Sequence, residues 1–302
     1  MDLAARRTRD GVLLGLHRLR STEVVDLATC HVLHPALVAL IAPLRSLLTR
    51  LQALRREGSA IANLLDTGVD VLLRTDATPS LPDRLVLNEF ARVHALPRIA
   101  WAQGSSEPEP VCVLRQPIIT LSGIAMSPPP GAFLQTSAAG EAAIVGAVID
   151  ALPRKLPARA HIAELYAGCG SITFALAHRA RVTAWEGDAA SIGALRLAAN
   201  QAGLAGRVEA VRRDLARQPV TAKELAGVAA VVLDPPQAGA AGQIAQIAAA
   251  KSPLVIYVSC NPATLSRDAR TLRHAGYQLV AAQPIDQFLW SERLESVCSF
   301  RR

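Results

Sequence analysis

The chain predicts an α/β protein, a doubly wound parallel sheet at the C-terminus preceded by a smaller α+β domain. Three observations carry that expectation. From His161 onward, short apolar runs alternate with tight turns and helical patterns, the rhythm of strand–helix–strand units. Each of those runs ends near an acidic or reactive residue. Before that point strands and helices follow no such rhythm, and Ser127-Pro-Pro-Pro-Gly131 marks the break between the two regimes. The signals divide the chain into residues 1–125, an α+β domain, residues 126–158, a connecting segment and helix, and residues 159–302, the doubly wound domain.

Taken in order, Gly11–His17 and Glu23–Leu27 read as irregular strands. Pro35 opens an amphipathic helix expected to run to about Arg56, with Leu37, Leu40, Ile41, Leu44, Leu47, Leu48 and Leu51 on one stripe. Ile61–Thr75 reads as a hairpin turning at Asp66-Thr-Gly68, Pro82–Ala95 as a helix, and Arg98–Gln103 and Val111–Leu121 as strands. A helix follows from about Ala138 to Leu152, then a proline-bounded linker, Pro153-Arg-Lys-Leu-Pro157. In the last domain strands are expected at Ile162–Tyr166, Arg181–Trp185, Val208–Arg212, Val228–Leu233 and Leu254–Val258. Helices begin near Thr173, Ala189, Gly242 and Ala263.

Composition narrows the function classes. A chain of 302 residues can bury two cores. No apolar run reaches the ~18 residues that would span a bilayer, and Met1-Asp-Leu-Ala-Ala-Arg-Arg lacks a signal peptide's apolar segment, so a cytoplasmic protein is expected. Five scattered cysteines without a CxxC pair argue against a disulfide framework and against a zinc knuckle. The net charge of +7 is carried mainly by arginine, whose fork suits phosphate, so a nucleic-acid partner is favoured.

The strand ends hold the candidate chemistry. The turn Glu164-Leu-Tyr166-Ala-Gly168-Cys-Gly170 lets backbone approach a ligand closely. It is neither a dinucleotide fingerprint nor a P-loop, because no phosphate-binding lysine follows. Glu186 ends the next strand roughly 20 residues on, where a carboxylate can accept both hydroxyls of a ribose. Asp214, ending the third strand, can accept from an adenine amino group. Nucleoside binding without a pyrophosphate site points to S-adenosylmethionine rather than NAD. Both carboxylates retain a competing role as caps for the helices that follow. Asp234-Pro-Pro236 stiffens a loop that leaves the aspartate facing the crevice, and a similar loop grips an exocyclic amine in amino-methyltransferases. Cys260 ends the fifth strand at the carboxyl edge where ligands bind in such sheets, although a free cysteine is often a buried filler.

Four motifs, in order and at sensible spacing, resemble the RNA 5-methyluridine (uracil-C5) methyltransferase family. They are Phe133-Leu-Gln135, Asp234-Pro-Pro-Gln-Ala-Gly239, Ser259-Cys-Asn-Pro-Ala-Thr-Leu-Ser-Arg-Asp268, and Asp286-Gln-Phe-Leu-Trp290 with Leu294-Glu-Ser-Val297. The resemblance implies a class I (Rossmann-like) methyltransferase domain, a first domain that contacts RNA, and methylation of uridine C5 in ribosomal or transfer RNA. It implies that Cys260 is the nucleophile and Glu295 the acceptor of the C5 proton. Gln135 and Asp234 are then expected beside the methyl donor or the target base. Glu186 and Asp214 would hold the donor, S-adenosylmethionine, with Tyr166 and Gly168 of the glycine turn beside them. A monomer without membrane contact is expected. The residue types suit the reaction. Uracil C5 is a weak nucleophile until a thiolate adds at C6, and a carboxylate must remove the C5 proton before the cysteine can leave. A base within folded RNA must also be turned out to reach the thiol.

Three features depart from the family pattern. Gln237 stands where the family usually has arginine. No N-terminal RNA-binding (TRAM) barrel is recognised, so an N-terminally short member with weaker RNA affinity is expected. Cys30 resembles the last of four iron–sulfur ligands in some members, but the other three are missing, and one cysteine cannot hold a cluster. Neither a cluster nor another metal is therefore expected. Two alternatives stand beside the leading reading: an amino-methyltransferase using the Asp-Pro-Pro loop, and a catalytically weak RNA-binding relative.

Overall fold

A computed structural model describes residues 1–302 and divides them into two compact units, Met1–Ile119 with Ser127–Ala132, and Thr120–Met126 with Phe133–Arg302. The first unit contains β1 (Asp2–Thr8), β2 (Gly11–His17), β3 (Val24–Asp26), α1 (Pro35–Arg50), β4 (Glu57–Leu65), β5 (Gly68–Thr75), α2 (Leu81–Val93), β6 (Arg98–Gln103) and β7 (Glu109–Val113). Its seven strands form one sheet in the order β3-β2-β1-β4-β5-β6-β7. Only the β5–β6 pair is parallel, because α2 carries the chain across between them.

The apolar stripe of α1 packs on β2 and β4, burying Leu37, Leu40, Ile41, Leu44, Leu47 and Leu48. The helix stops at Arg50, six residues before the expected end, and Leu51 is already extended. A tertiary partner explains the early stop. The Arg7 guanidinium on β1 donates to the carbonyls of Leu48, Thr49, Leu51 and Leu54, groups that a helix end otherwise leaves unpaired. The Asp76 carboxylate takes the Arg55 and Arg56 N–H groups at 2.7 and 2.8 Å, so that stretch turns rather than coils. The chain re-enters this unit at Ser127–Ala132 for an equally specific reason. Buried Arg98 pairs with Asp70 through two bonds of 2.8 and 2.6 Å and donates to the Pro128 carbonyl at 2.9 Å.

The second unit begins with the small ribbon β8 (Ile119–Leu121) and β9 (Ile124–Met126). It continues through α3 (Ala138–Ala151), β10 (His161–Leu165), α4 (Ser171–Ala177), β11 (Arg181–Glu186), α5 (Ala189–Gln201), β12 (Val208–Arg212) and β13 (Ala230–Leu233). The last elements are α6 (Ala241–Ala250), β14 (Leu254–Ser259), α7 (Pro262–His274), β15 (Gln278–Ile285) and β16 (Glu295–Arg301). The sheet order is β12-β11-β10-β13-β14-β16-β15, with the first five strands parallel and β16 antiparallel to both of its neighbours. Strands β13 and β14 are buried along their whole length, as continuous apolar runs in a doubly covered sheet require. The strand order reverses between β10 and β13, so the ligand crevice lies beyond their carboxyl ends.

No helix is long and apolar enough to cross a membrane. No group of three or more His, Cys, Asp or Glu side chains is placed to hold a metal ion.

Candidate active site

The residues around Cys260 are occupied with structure, and Cys260 is not. Ser259 Oγ accepts the Asn261 N–H at 3.1 Å. Asn261 caps α7 by taking the Ala263 and Thr264 N–H groups, and Pro262 sits in the helix's first turn, where its missing N–H costs nothing. The Asn261 amide also donates to the Gln237 carbonyl at 2.9 Å. That tether, with Arg267 donating to the Ala238 carbonyl and buried Asp268 accepting the Ala240 N–H, fixes the Asp234–Ala240 loop beside α7. Gly239 has φ of +76°, and a Cβ there would meet Arg267 at 2.5 Å, so only glycine lets the loop lie this close. Exposed Gln237 touches this assembly through its carbonyl, so the departure from arginine leaves the loop tether intact. Cys112, Cys169 and Cys298 are buried, whereas Cys260 stays partly exposed at the start of α7.

Strand pairing sets Glu295 near the thiol. In the antiparallel β14–β16 pair the last partners are Ser259 and Ser296, so Cys260 and Glu295 flank the end of the ladder, close enough for the Glu295 charge to act on the thiol. Glu295 is buried, with Oε2 accepting from Gln287 Nε2 at 2.9 Å and Oε1 left without a partner. The same Gln287 amide donates to Gln135 Oε1 at 3.1 Å, and Gln135 Nε2 approaches Asp234 Oδ2 at 3.4 Å. Thr136 Oγ1 donates to Gln287 Oε1 at 3.0 Å. Sequence reasoning placed Cys260, Glu295, Gln135 and Asp234 in one site, and the structure brings all four together. It missed Gln287, the residue that links Gln135 to Glu295.

The electrostatics are those of a crowded carboxylate pocket. Burial pushes Asp234 up to about 7, with the nearby Glu295 charge adding to the effect. Burial likewise raises Glu295, opposed by the Gln287 hydrogen bond. The Cys260 thiol is raised by burial, then by the charges of Glu295 and Asp234, while Arg293 acts in the opposite sense. Glu164, 2% exposed and with one partnerless oxygen, is driven to about 8 by burial and by the Asp234 and Glu186 charges.

The residues expected to hold a methyl donor line the neighbouring strand ends. Glu186 Oε2 accepts the Gly168 N–H at 2.9 Å and Oε1 the Asp188 N–H at 2.8 Å, so this carboxylate orders the glycine turn and keeps lone pairs free. A Cβ at Gly168 would meet nothing within 4 Å, which leaves open space beside the turn, whereas one at Gly170 would press on Leu195 and Phe174 at 3.1 Å. Tyr166 adopts a left-handed φ of 63° and is pushed to about 12 by burial and the Asp268, Asp214 and Glu186 charges. Exposed Asp214 takes the Ala216 and Arg217 N–H groups at 3.0 and 3.2 Å, the capping role that competed with ligand binding. Trp185 is buried in the core and Trp290 is 91% exposed. Free space at Gly168 beside an underused carboxylate and a partnerless buried Glu164 oxygen suits a nucleoside that carries a positive charge.

Comparison with known proteins decides the family. A family model described as tRNA (uracil-5-)-methyltransferase matches residues 127–302. The chain belongs to the tRNA (uracil-5-)-methyltransferase family. Members are S-adenosylmethionine-dependent RNA methyltransferases. Among relatives, an uncharacterised RNA methyltransferase of Mesorhizobium japonicum is 38% identical over 98% of this chain and 69% of its own length. A 23S rRNA (uracil(1939)-C(5))-methyltransferase of Aeromonas salmonicida is 32% identical over 96% of this chain and 65% of its own. The fold matches the tRNA (uracil-54, C5)-methyltransferase of Pyrococcus abyssi, solved with S-adenosyl-L-homocysteine, at a TM-score of 0.72 and 19% identity over 99% of this chain and 75% of that one. The doubly wound unit is therefore a class I methyltransferase fold, and the chain spans about seven-tenths of the length of the first RNA methyltransferase relatives it matches.

Proposed function

We propose that this family member methylates C5 of a uridine in RNA through a covalent bond between Cys260 and uracil C6. One observation supports the reading: a partly exposed thiol just past the end of β14 lies close enough to a buried carboxylate, whose Oε1 has no partner, for that charge to act on it. When bound, S-adenosylmethionine supplies an electrophilic sulfonium methyl group. Glu186, Gly168, Tyr166 and Asp214 would hold it.

The thiolate of Cys260 adds to C6, and the C5–C6 π electrons move onto the ring as an enolate. Asp234, held near 7, is partly protonated at neutral pH and, with the Gln135 amide, can donate to that oxygen. C5 takes the methyl group, Glu295 removes the C5 proton, and the returning electrons expel the Cys260 thiolate. Burial raises both Cys260 and Glu295, so the thiolate needs alkaline conditions or a nearby cation, while the carboxylate is made a better base.

The test is to incubate the protein with S-adenosylmethionine and RNA containing 5-fluorouridine. A covalent adduct is expected with wild type and none with Cys260→Ala. On ordinary RNA, Glu295→Gln should accumulate the methylated adduct and turn over at least ~100-fold more slowly, within the 10²–10⁴ range of general-base catalysis. Uridine C5 methylation that persists in Cys260→Ala would sink the reading, and methylation of an exocyclic amine instead of uridine would favour chemistry at the Asp-Pro-Pro loop.

A further inference from the structure

The loop between β15 and β16 contains an arrangement that the chemistry above does not use. It is pinned at its start by Gln287, whose N–H bonds the Ile285 carbonyl at 3.1 Å. It turns through a Ser291 N–H bond to the Phe288 carbonyl and closes with the Arg293 N–H on Ser291 Oγ, both at 3.1 Å. At the turn sits Trp290, 91% exposed and in a left-handed conformation at φ of 62°. A non-glycine residue there is strained, and leaving a large aromatic in water forgoes the burial that would offset the strain. The chain's other two tryptophans, Trp101 and Trp185, are 6% and 5% exposed, which is where packing ordinarily puts them. Leu289 beside Trp290 is also exposed, at 56%.

A second observation places this loop at the reaction. Arg293 lies close enough to Cys260 for its charge to act on the thiol, and it enters no ion pair with any carboxylate of the chain. Glu295 follows two residues later, so the loop borders the mouth of the catalytic pocket. An exposed aromatic face and an unpaired guanidinium three residues apart on one turn match a single-stranded nucleotide, which offers a π-face and a phosphate.

We propose that the Phe288–Arg293 turn is an RNA-gripping element of the active site, in which Trp290 stacks on an unpaired base next to the target uridine and Arg293 takes a backbone phosphate. The proposal rests on RNA being the substrate. Stacking there would fill the gap that opens when the target base leaves its neighbours, and the strained turn would be stabilised by the ligand rather than by the fold.

Because only Trp290 is open to solvent, intrinsic fluorescence reports on it selectively. A stem-loop RNA with one loop uridine should quench the solvent-exposed emission and shield it from acrylamide. Trp290→Phe should abolish that component while keeping KM for RNA within about threefold, since phenylalanine still stacks. Trp290→Ala should raise KM about tenfold with kcat changed far less, within the range that one lost base stack implies. Arg293→Gln should lower the log–log salt slope of RNA binding by about one, the signature of one phosphate contact. RNA that binds and is methylated while Trp290 stays fully quenchable, or Trp290→Ala with wild-type KM, overturns the gripping role and leaves the methyltransferase reading standing. A wild type that binds no RNA overturns both.

Discussion

Gln287 shows what one neutral residue does among acids. Its amide reaches both Gln135 and Glu295, and its hydrogen bond is what holds Glu295 down against the upward push of burial. Replacing it with leucine should raise Glu295 further, so more of the base is protonated at any given pH and the acid limb of the kcat profile moves to higher pH. The charge-assisted hydrogen bond is lost with the amide, so kcat should fall on the acid side of the profile, with the methylated adduct accumulating. Quenched-flow adduct measurements across pH check this, and an unmoved acid limb with normal kcat removes Gln287 from the role. Cys260 and Glu295 stand out as candidates in the sequence because thiol and carboxylate can carry such chemistry and sit in specific motifs. A glutamine within Asp286-Gln-Phe carries no such signal, and its partner Gln135 lies far away in the chain.

The junction between β14 and α7 depends on one buried acid at the scale of elements. Asp268, 1% exposed, accepts from the Ala240 N–H and the Tyr257 hydroxyl, both at 2.8 Å, and pairs with Arg267. Asp268→Ala leaves two buried donors unpaired at about 1–3 kcal/mol each. Urea denaturation should show a loss of roughly 3 kcal/mol, and a change under ~1 kcal/mol would mean that the loop is held by other contacts. Helix starts were the best-read elements, because Pro35, Ser137 and the Asn261-Pro pair are local signals. The end of α1 was misplaced because Arg7 and Asp76, distant in sequence, take its last backbone groups. Strand β15 was not anticipated at all, since residues Gln278–Pro284 are exposed on an edge and lack the buried alternation that betrays a strand.

Across the whole molecule, the crevice is acidic although the chain is basic, and that contrast should appear in stability. Glu164 is raised from 4.5 to about 8 and Asp234 from 3.8 to about 7, so the folded state retains protons that the unfolded chain has released. Their contribution is complete below about pH 4 and is lost as pH rises toward 8. A tenfold difference in proton affinity between the folded and unfolded chain is worth about 1.4 kcal/mol, so the loss should be measurable by chemical denaturation. Glu164→Gln mimics the protonated acid. It should match wild type near pH 4 and exceed it at pH 8, and a gap that does not widen with pH would show that Glu164 ionises freely in the fold.

The sequence alone determined the strand–helix rhythm, the glycine turn and the cysteine at a strand end, because local patterning and backbone demands are written residue by residue. Its motifs also carried the family. Only the tertiary structure decided that β16 inserts antiparallel between β14 and β15, and that insertion brings the start of β16, with Glu295, to the end of β14 beside Cys260. It also decided that Gln287 bridges the two halves of the pocket and that Trp290 is left in water. Pairing across a sheet depends on which edges meet after long loops close, a choice settled by burial and register over the whole domain.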